Sequence, residues 1–207
     1  MYEPTKLLFV FEPNNFLVDN YLNKLKRKDK DIEIYNYGIG NNNSTQYFYI
    51  PFYKNKCLHM FSSFKENIVI ESLSITYPHL KDKFIIKKYE FEVKKLDDIN
   101  LFTNLHFVKI DAEGFEFKII EGMDKLIKRF KPYLLIEYNE SNFEKICKKL
   151  QNYNPYRYDI SNNTLQKLPK YIDNNKDISR IDSKNLLASR NIYFIPTNDK
   201  INLEITN

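Results

Sequence analysis

Three short apolar runs along the chain each end at an acidic residue. They are residues 7–11, followed by Glu12, residues 107–110, followed by Asp111, and residues 133–136, followed by Glu137. Short uninterrupted apolar runs are typical of strands buried in a parallel sheet. Because ligands of open α/β sheets bind outside the carboxyl ends of the strands, we expect these three carboxylates at one edge of one sheet.

Apolar residues at helical spacing separate these runs. Asn14 or Asn15 can cap the first helix, and the second helix is expected to bend near Gly122. The apolar positions are Val18, Tyr21, Leu22 and Leu25, then Ile119, Met123, Leu126 and Phe130, then Phe143, Ile146, Cys147 and Leu150. The alternation of strands and helices predicts an α/β fold with a mostly parallel sheet and helices on both faces.

The remaining segments complete this single predicted domain over residues 1–207. Strands are expected at residues 32–37, which Gly38-Ile39-Gly40 ends, at 45–50 in an antiparallel hairpin, at 89–93 and at 191–196. Residues 51–84 are interpreted as an insertion with a helix over 68–77. Residues 153–190 are interpreted as polar and irregular. Because loops carry most binding residues, substrate contacts are expected in these two segments.

Composition indicates a globular protein and argues against several classes. Hydrophobic residues make up 43% and aromatic residues 15% of the 207 residues. There is no apolar run long enough to span a membrane, and no signal-peptide pattern at the N-terminus, so we expect a cytoplasmic protein without a membrane partner. Cys57 and Cys147 match no metal-binding spacing and are expected to be free thiols, and the three scattered histidines predict no metal site.

The net charge of +5 raises the question of nucleic-acid binding. The densest basic run, residues 24–30, is interrupted by Asp29 and followed by Asp31. The chain is also rich in lysine, asparagine, isoleucine and tyrosine, as A+T-rich coding would produce. A solvated helix end explains the basic run, so we expect no nucleic-acid partner.

The acidic residues each allow a functional and a structural interpretation. Glu12 could accept hydrogen bonds from ribose hydroxyls, or it could be an acid at the start of a helix. Asp111 and Glu113 lie two positions apart, so in an extended segment both would face one cleft, where one could accept a proton from a substrate. Alternatively they cap or begin a helix. Asp97 and Asp98 are assigned to an ordinary helix start.

Several of these motifs occur together in the order of a known family. They are Phe11-Glu12-Pro13-Asn14, Tyr37-Gly38-Ile39-Gly40, Ser62-Ser63, Leu96-Asp97-Asp98, the segment from Lys109 to Glu116, Gly122 and the segment from Lys131 to Glu137. From about residue 7 to residue 138 the chain resembles the FkbM-type methyltransferases, and residues 191–194 resemble their closing strand. The resemblance implies a class I Rossmann-like fold. It also implies the use of S-adenosylmethionine, usually to methylate a hydroxyl of a sugar, polyketide or related metabolite.

The resemblance also implies roles for individual residues. Glu12, with Pro13 and Asn14 in its loop, would hold the ribose, and Gly38 and Ile39 would lie beside the adenine. Asp111 would sit near the methionine part of the cofactor. Glu113 would orient or deprotonate the substrate.

The chain departs from the family pattern at its start. The family begins with a strand and a glycine-rich turn that holds the methionine end of the cofactor, whereas no glycine precedes Glu12 here. We therefore expect the first strand and helix to be missing, as in a fragment or mis-started reading of a longer protein or in a degenerate relative. We expect this chain to bind S-adenosylmethionine weakly or not at all. Two functions stay open, an S-adenosylmethionine-dependent O-methyltransferase and a catalytically inactive, truncated domain that binds a partner or glycan. The absence of Gly-x-Gly-x-x-Gly argues against a nicotinamide dehydrogenase.

Overall fold

The structure, a computed structural model, describes residues 7–101, 103–160, 162–170 and 191–198, without the side chain of Lys81. The chain forms two compact units, Met1–Lys94 and Lys95–Asn207. In the first unit the elements are β1 (Leu8–Phe11), α1 (Asn15–Leu17), α2 (Asn23–Lys28), β2 (Ile32–Tyr35), β3 (Gly38–Gly40), β4 (Ser44–Tyr53), β5 (Lys56–Cys57), α3 (Glu66–Thr76) and β6 (Ile85–Lys95). In the second they are β7 (Phe107–Ile110), α4 (Glu116–Gly122), α5 (Asp124–Phe130), β8 (Tyr133–Glu137), α6 (Glu140–Lys149), β9 (Tyr153–Asp159), β10 (Thr164–Lys167) and β11 (Asn191–Pro196).

Strands β1 and β2 form a two-stranded parallel sheet in the first unit. Leu8 pairs with Ile32 and Phe11 with Tyr35, and a helical crossover joins the strands, as a parallel connection requires. The strand at residues 7–11 is thus confirmed, but its predicted full burial is wrong. Leu8 is 55% exposed because the described sheet has only these two strands.

The crossover contains a π-helical stretch, Val18–Leu22, between α1 and α2. Because π-helical bonds join residues five apart, the stretch breaks the 3.6-residue period on which the predicted apolar face depends. Val18 is buried, whereas Tyr21 and Leu25 are at least half exposed. The predicted helical segment is confirmed, but the prediction that it has a single apolar face is wrong.

The first unit also contains a four-stranded sheet with the order β3-β6-β4-β5. Strand β4 runs antiparallel to both β5 and β6, which confirms the predicted hairpin strand and extends it to Tyr53. Gly38–Gly40 is itself a strand of this sheet and does not simply end the preceding strand. The core is largely aromatic and consists of Phe48, Ile50, Phe52, Phe91 and Val93.

The second unit is built on a five-stranded sheet with the order β10-β9-β11-β8-β7. Strands β7 and β8 are parallel, and the pairs β8–β11, β11–β9 and β9–β10 are antiparallel. Residues 153–190 were predicted to be irregular, and this prediction is wrong for β9 and β10. Residues 171–190 lie outside the described part of the chain. The buried core includes Ile110, Ile120, Met123, Leu134, Ile136, Phe143, Ile146, Cys147, Ile192 and Phe194.

The α/β class is confirmed, whereas the described strands form mixed sheets and not one mostly parallel sheet. The parallel pairs β1–β2 and β7–β8 each have helices between their two strands, whereas β4–β5 and β9–β10, which are consecutive in the element order, are antiparallel. The predicted bend near Gly122 is confirmed, because α4 ends there and α5 begins at Asp124. A short 3-10 helix, Leu96–Asp98, has Asp97 and Asp98 in its first turn, which confirms the predicted helix start, and Asp97 has a second role. Its carboxylate accepts hydrogen bonds from the backbone N–H groups of Lys125 (2.9 Å) and Leu126 (3.0 Å) and so caps α5.

Candidate active site

The carboxyl ends of β7 and β8 bring Asp111 and Glu137 side by side. The strands are parallel and pair Ile110 with Ile136, so both acids lie at the same edge of the sheet. Their carboxyl groups interact closely enough to raise the pKa of Glu137. The predicted juxtaposition of these two acids is confirmed. Glu12 lies in the other unit, so its place at the same edge stays a prediction.

A cation accompanies this pair. Lys109 Nζ lies 2.6 Å from Asp111 Oδ2, and both side chains are about half exposed. Lys109 belongs to β7 and lies two residues before Asp111, so the ion pair forms within one strand end. One carboxylate of the pair is thus compensated by a positive charge, and none of the ion pairs among the described residues includes Glu137.

The chain turns sharply after Asp111. Glu113 has a φ of 49° and Gly114 a φ of 97°, both in the left-handed region, so the segment is not extended. Asp111 and Glu113 were expected to share a face because residues two apart do so in extended backbone. The backbone is not extended here, so that basis for the expectation is wrong. Glu113 is nevertheless near enough to Glu137 to help raise the pKa of Glu137.

Glu116 holds this turn from the protein interior. Its side chain is fully buried, and its Oε1 accepts hydrogen bonds from the backbone N–H groups of Gly114 (2.8 Å) and Ala112 (3.3 Å). Its Oε2 accepts from Asn142 Nδ2 at 3.2 Å, and the same amide nitrogen donates to the Gly114 carbonyl at 3.1 Å. Glu116 and Asn142 together fix the position of the acidic turn.

Sequence reasoning missed this role of Glu116. It assigned the helix start to Asp111 or Glu113, but α4 has no side-chain cap and its first-turn acid is Glu116. The available signal was an acidic residue two positions after a glycine at the start of an apolar helix. That pattern places a carboxylate where it can reach back to the backbone N–H groups of the turn.

The pKa of Glu137 is raised well above the ordinary value of a glutamate. Burial raises its pKa, the charges of Asp111, Glu113 and Glu116 raise it further, and the hydrogen bond to Asp111 adds to the rise. The pKa of Glu137 reaches about 7 from an ordinary 4.5. A half-buried carboxyl with such a pKa can accept or release a proton near neutral pH.

We predict that this carboxyl makes the folded protein less stable as pH rises from 4.5 to 7. Because the pKa is higher in the folded state (about 7) than in the unfolded state (4.5), the folded protein binds more protons in this window. Its stabilising contribution is full below pH 4.5 and is lost as pH rises through 7. Solvent reaches this edge of the sheet and screens the charges, so we expect a loss of about 1–2 kcal/mol.

Urea unfolding at half-unit pH intervals measures this effect. Glu137→Gln has no titrating group at this position, so its stability should be flatter between pH 4.5 and 7 and exceed that of the wild type at pH 8. Equal pH slopes for the two proteins would contradict the prediction.

In the first unit, Glu12 follows β1 and its loop is held by local hydrogen bonds. Its Oε1 accepts from the Asn14 N–H at 2.7 Å, and its carbonyl accepts from Asn36 Nδ2 at 2.9 Å. Burial raises the pKa of Glu12, and the bond from Asn14 partly offsets the rise. Asn14 is buried and caps α1 through the Phe16 N–H at 3.0 Å, which confirms the predicted cap. Glu12 thus supports the helix start, and its ribose role stays a prediction.

Gly38 and Ile39 are both buried in β3. A Cβ at position 38 would lie 2.9 Å from Cε2 of Phe91, so the position has a packing reason to be glycine. Their predicted place beside an adenine is a separate requirement that this packing does not test.

Comparison with known proteins identifies the family to which this chain belongs. The family model described as the methyltransferase FkbM domain matches residues 2–160. The chain belongs to the FkbM methyltransferase family. The match includes β1, Glu12, the turn after Asp111 and Glu137, the elements on which the sequence resemblance was based.

A solved relative of this FkbM domain is a crystal structure of methyltransferase FkbM from Methylobacillus flagellatus KT. The two chains are 16% identical with a TM-score of 0.49, and the alignment covers 91% of this chain and 36% of that one. The chain thus spans about a third of that structure. No curated protein shows a significant match.

The FkbM domain therefore carries, in its second unit, four acidic side chains around the ends of two parallel strands. In the described part of the chain, no three His, Cys, Asp or Glu side chains are grouped to hold a metal ion. Cys57 and Cys147 are free, as predicted. None of the described helices is long and apolar enough to cross a membrane.

Proposed function

We propose that this chain is a methyltransferase domain that uses S-adenosylmethionine to methylate a hydroxyl group of a sugar, glycan or small metabolite. The observation that carries the proposal is the pair of acids Asp111 and Glu137 at adjacent parallel strand ends in a chain of the FkbM family. Methylation of a hydroxyl requires a group that takes up a proton, and this pair includes a carboxyl suited to that task near neutral pH.

The residues present suit the chemical groups of S-adenosylmethionine. Its ribose hydroxyls donate hydrogen bonds, which a carboxylate such as Glu12 accepts strongly. Its sulfonium and ammonium groups are positive, and the acidic side chains beside Asp111 offer opposite charge. When bound, the cofactor supplies an electrophilic methyl group. The protein then has to align the acceptor oxygen with that methyl group and manage the hydroxyl proton.

We assign the roles within this site as follows. Glu12 holds the ribose, Pro13 and Asn14 shape its loop, Gly38 and Ile39 lie beside the adenine, Asp111 adjoins the methionine part, and Glu113 orients or deprotonates the acceptor. These assignments rest on the family motif and on the carboxylate positions within each unit. We also propose a cytoplasmic location, a small molecule or glycan as the binding partner, and no nucleic-acid or membrane partner.

A methyl-transfer assay tests the proposal. Purified protein is incubated with S-adenosylmethionine labelled in the methyl group and with sugars, oligosaccharides or deproteinised cell extract, and products are identified by mass spectrometry. Label recovered as a methyl ether supports the proposal. A folded protein that transfers no label and binds no S-adenosylmethionine by calorimetry contradicts it, and would favour an inactive domain that binds a partner or glycan.

We predict that Glu12→Gln weakens binding of S-adenosylmethionine about tenfold. The substitution keeps the shape but replaces a charged acceptor by a neutral one, which lowers the strength of a hydrogen bond by roughly 1–1.5 kcal/mol. Calorimetric titration measures the affinity.

Glu33→Gln is the matched control. Glu33 lies on the neighbouring strand β2 and forms an ion pair with Lys26 at 2.6 Å, away from the loop after Glu12. It should leave the affinity unchanged. Equal affinity of Glu12→Gln and the wild type would remove Glu12 from the cofactor site and leave only its support of the helix start.

A further inference from the structure

We propose that Glu137 is the catalytic residue that accepts the hydroxyl proton of the methyl acceptor, with Asp111 as the carboxylate that positions it. The inference rests on the proposed methyltransferase function and identifies the proton acceptor within it. Sequence reasoning placed that task on Glu113 or Asp111, and gave Glu137 no catalytic role.

The positions of Asp111 and Glu137 favour a single proton between them. The pairing of Ile110 with Ile136 places the two acids at adjacent strand ends, and two carboxyl groups so close together resist being ionised at the same time. Lys109 Nζ lies 2.6 Å from Asp111 Oδ2 and compensates the negative charge of that side chain. We therefore assign the shared proton to Glu137, as the side chain that exchanges it.

The surroundings of Glu137 favour such exchange near neutral pH. Asp111 lies at the end of the neighbouring strand, Glu113 in the turn and Glu116 at the start of α4, and their negative charges all act on Glu137. With burial they raise the pKa of Glu137 to about 7. A base is most effective when its pKa is near the working pH, because it is then both largely ionised and strongly proton-attracting.

The neighbouring strand β11 supplies an independent observation. Asn191 pairs directly with Glu137 in the antiparallel register, so the two side chains lie on the same face of the sheet. Its buried side-chain oxygen Oδ1 has no hydrogen-bond partner among the described residues. A buried acceptor without a donor is costly, and a second hydroxyl of a polyhydroxylated acceptor would satisfy it while the reacting hydroxyl donates to Glu137.

The chemical step balances with Glu137 as the proton acceptor. The hydroxyl oxygen of the acceptor forms a bond to the methyl carbon while the carbon–sulfur bond breaks, and the electron pair of that bond remains on sulfur. The hydroxyl proton passes to a carboxylate oxygen of Glu137. Because Glu137 is only half-buried, the proton can then leave to solvent.

A carboxyl ¹³C NMR titration, which does not depend on activity, tests the first half of the proposal. The protein is labelled with ¹³C-glutamate, and Glu137→Gln assigns the Glu137 signal. We expect a titration midpoint near 7, and a lower midpoint in Asp111→Asn because that variant removes a neighbouring negative charge. A wild-type midpoint below about 5, within the ordinary range for glutamate, would overturn the shared proton.

Turnover at saturating cofactor and acceptor tests the second half. Glu137→Gln should lower turnover about 10²–10⁴-fold, the usual contribution of a positioned base, and remove the dependence on a group with a pKa near 7. Glu113→Gln is the comparison, and should change the KM of the acceptor more than turnover. A wild type that methylates no hydroxyl refutes the proposed function. An active wild type with an equally active Glu137→Gln refutes only the role of Glu137.

Discussion

Glu116→Ala should destabilise the second unit by about 2–4 kcal/mol and disorder the turn that carries Asp111 and Glu113. The substitution removes a fully buried side chain that accepts three hydrogen bonds. The N–H groups of Ala112 and Gly114 and the side-chain amide of Asn142 lose their acceptor, the last of them in a buried position. Each buried donor left in this way costs about 1–3 kcal/mol, although such costs are not additive. Urea unfolding measures the loss.

Two further variants separate this cause from a general loss of charge. Glu140→Ala removes an exposed acid from the first turn of α6 and should cost less than about 0.5 kcal/mol. Glu116→Gln keeps the volume and one acceptor oxygen, but its amide nitrogen would meet the amide nitrogen of Asn142, so an intermediate loss of about 1–2 kcal/mol is expected. A stability of Glu116→Ala equal to that of Glu140→Ala would show that Glu116 does not hold the turn.

Features that depend on short-range periodicity could be predicted from the sequence. The apolar runs located β1, β7 and β8, and because parallel strands in register end together, they also brought Asp111 and Glu137 to one edge. The apolar residues of the third predicted helix, Phe143, Ile146, Cys147 and Leu150, are buried as expected. In each case one local period was sufficient, because a strand alternates or a helix repeats independently of distant contacts.

The failures have a different physical origin. Glu113 was placed in an extended segment, but backbone angles at a turn depend on how the turn is anchored, and the anchor is Glu116 with Asn142, 26 residues away. The π-helical stretch from Val18 to Leu22 shifts the helix register without any proline or glycine to mark it. Strand β9 was read as irregular because its tyrosine, proline and arginine residues obscure a clear alternation.

Glu113, and not Glu137, is the proton acceptor that the sequence motif alone indicates. A motif shows which carboxylates are near each other along the chain, and Asp111 and Glu113 are only two residues apart. The pKa of a carboxyl depends on its burial and on charges that the fold brings near it. The pKa of Glu137 is raised by the charges of Asp111, Glu113 and Glu116, which lie after β7, in the turn and at the start of α4. The acid most suited to proton transfer is therefore one that only the strand pairing of β7 and β8 reveals.

Gly38→Ala should destabilise the first unit by about 1–3 kcal/mol, the usual cost of forcing extra volume into a packed core. Position 38 has no positive φ, so the backbone accepts alanine, and any loss comes from contact with Phe91. The new Cβ would lie 2.9 Å from Phe91 Cε2, and the ring cannot retreat easily because it packs edge-on against Phe48 at 6.1 Å and beside Phe64 at 5.9 Å.

A double-mutant cycle with Phe91→Leu identifies the cause of the loss at position 38. If the contact with the ring is responsible, Gly38→Ala should cost at least 1 kcal/mol less in the Phe91→Leu background than in the wild type, because leucine leaves space for the new methyl group.

Calorimetry on the same variants tests the cofactor role separately. Should Gly38→Ala weaken S-adenosylmethionine binding equally in both backgrounds, Gly38 acts beside the adenine in addition to its place in the core. If both the affinity for S-adenosylmethionine and the stability recover in the double variant, glycine is required at this position only by the packing of Phe91.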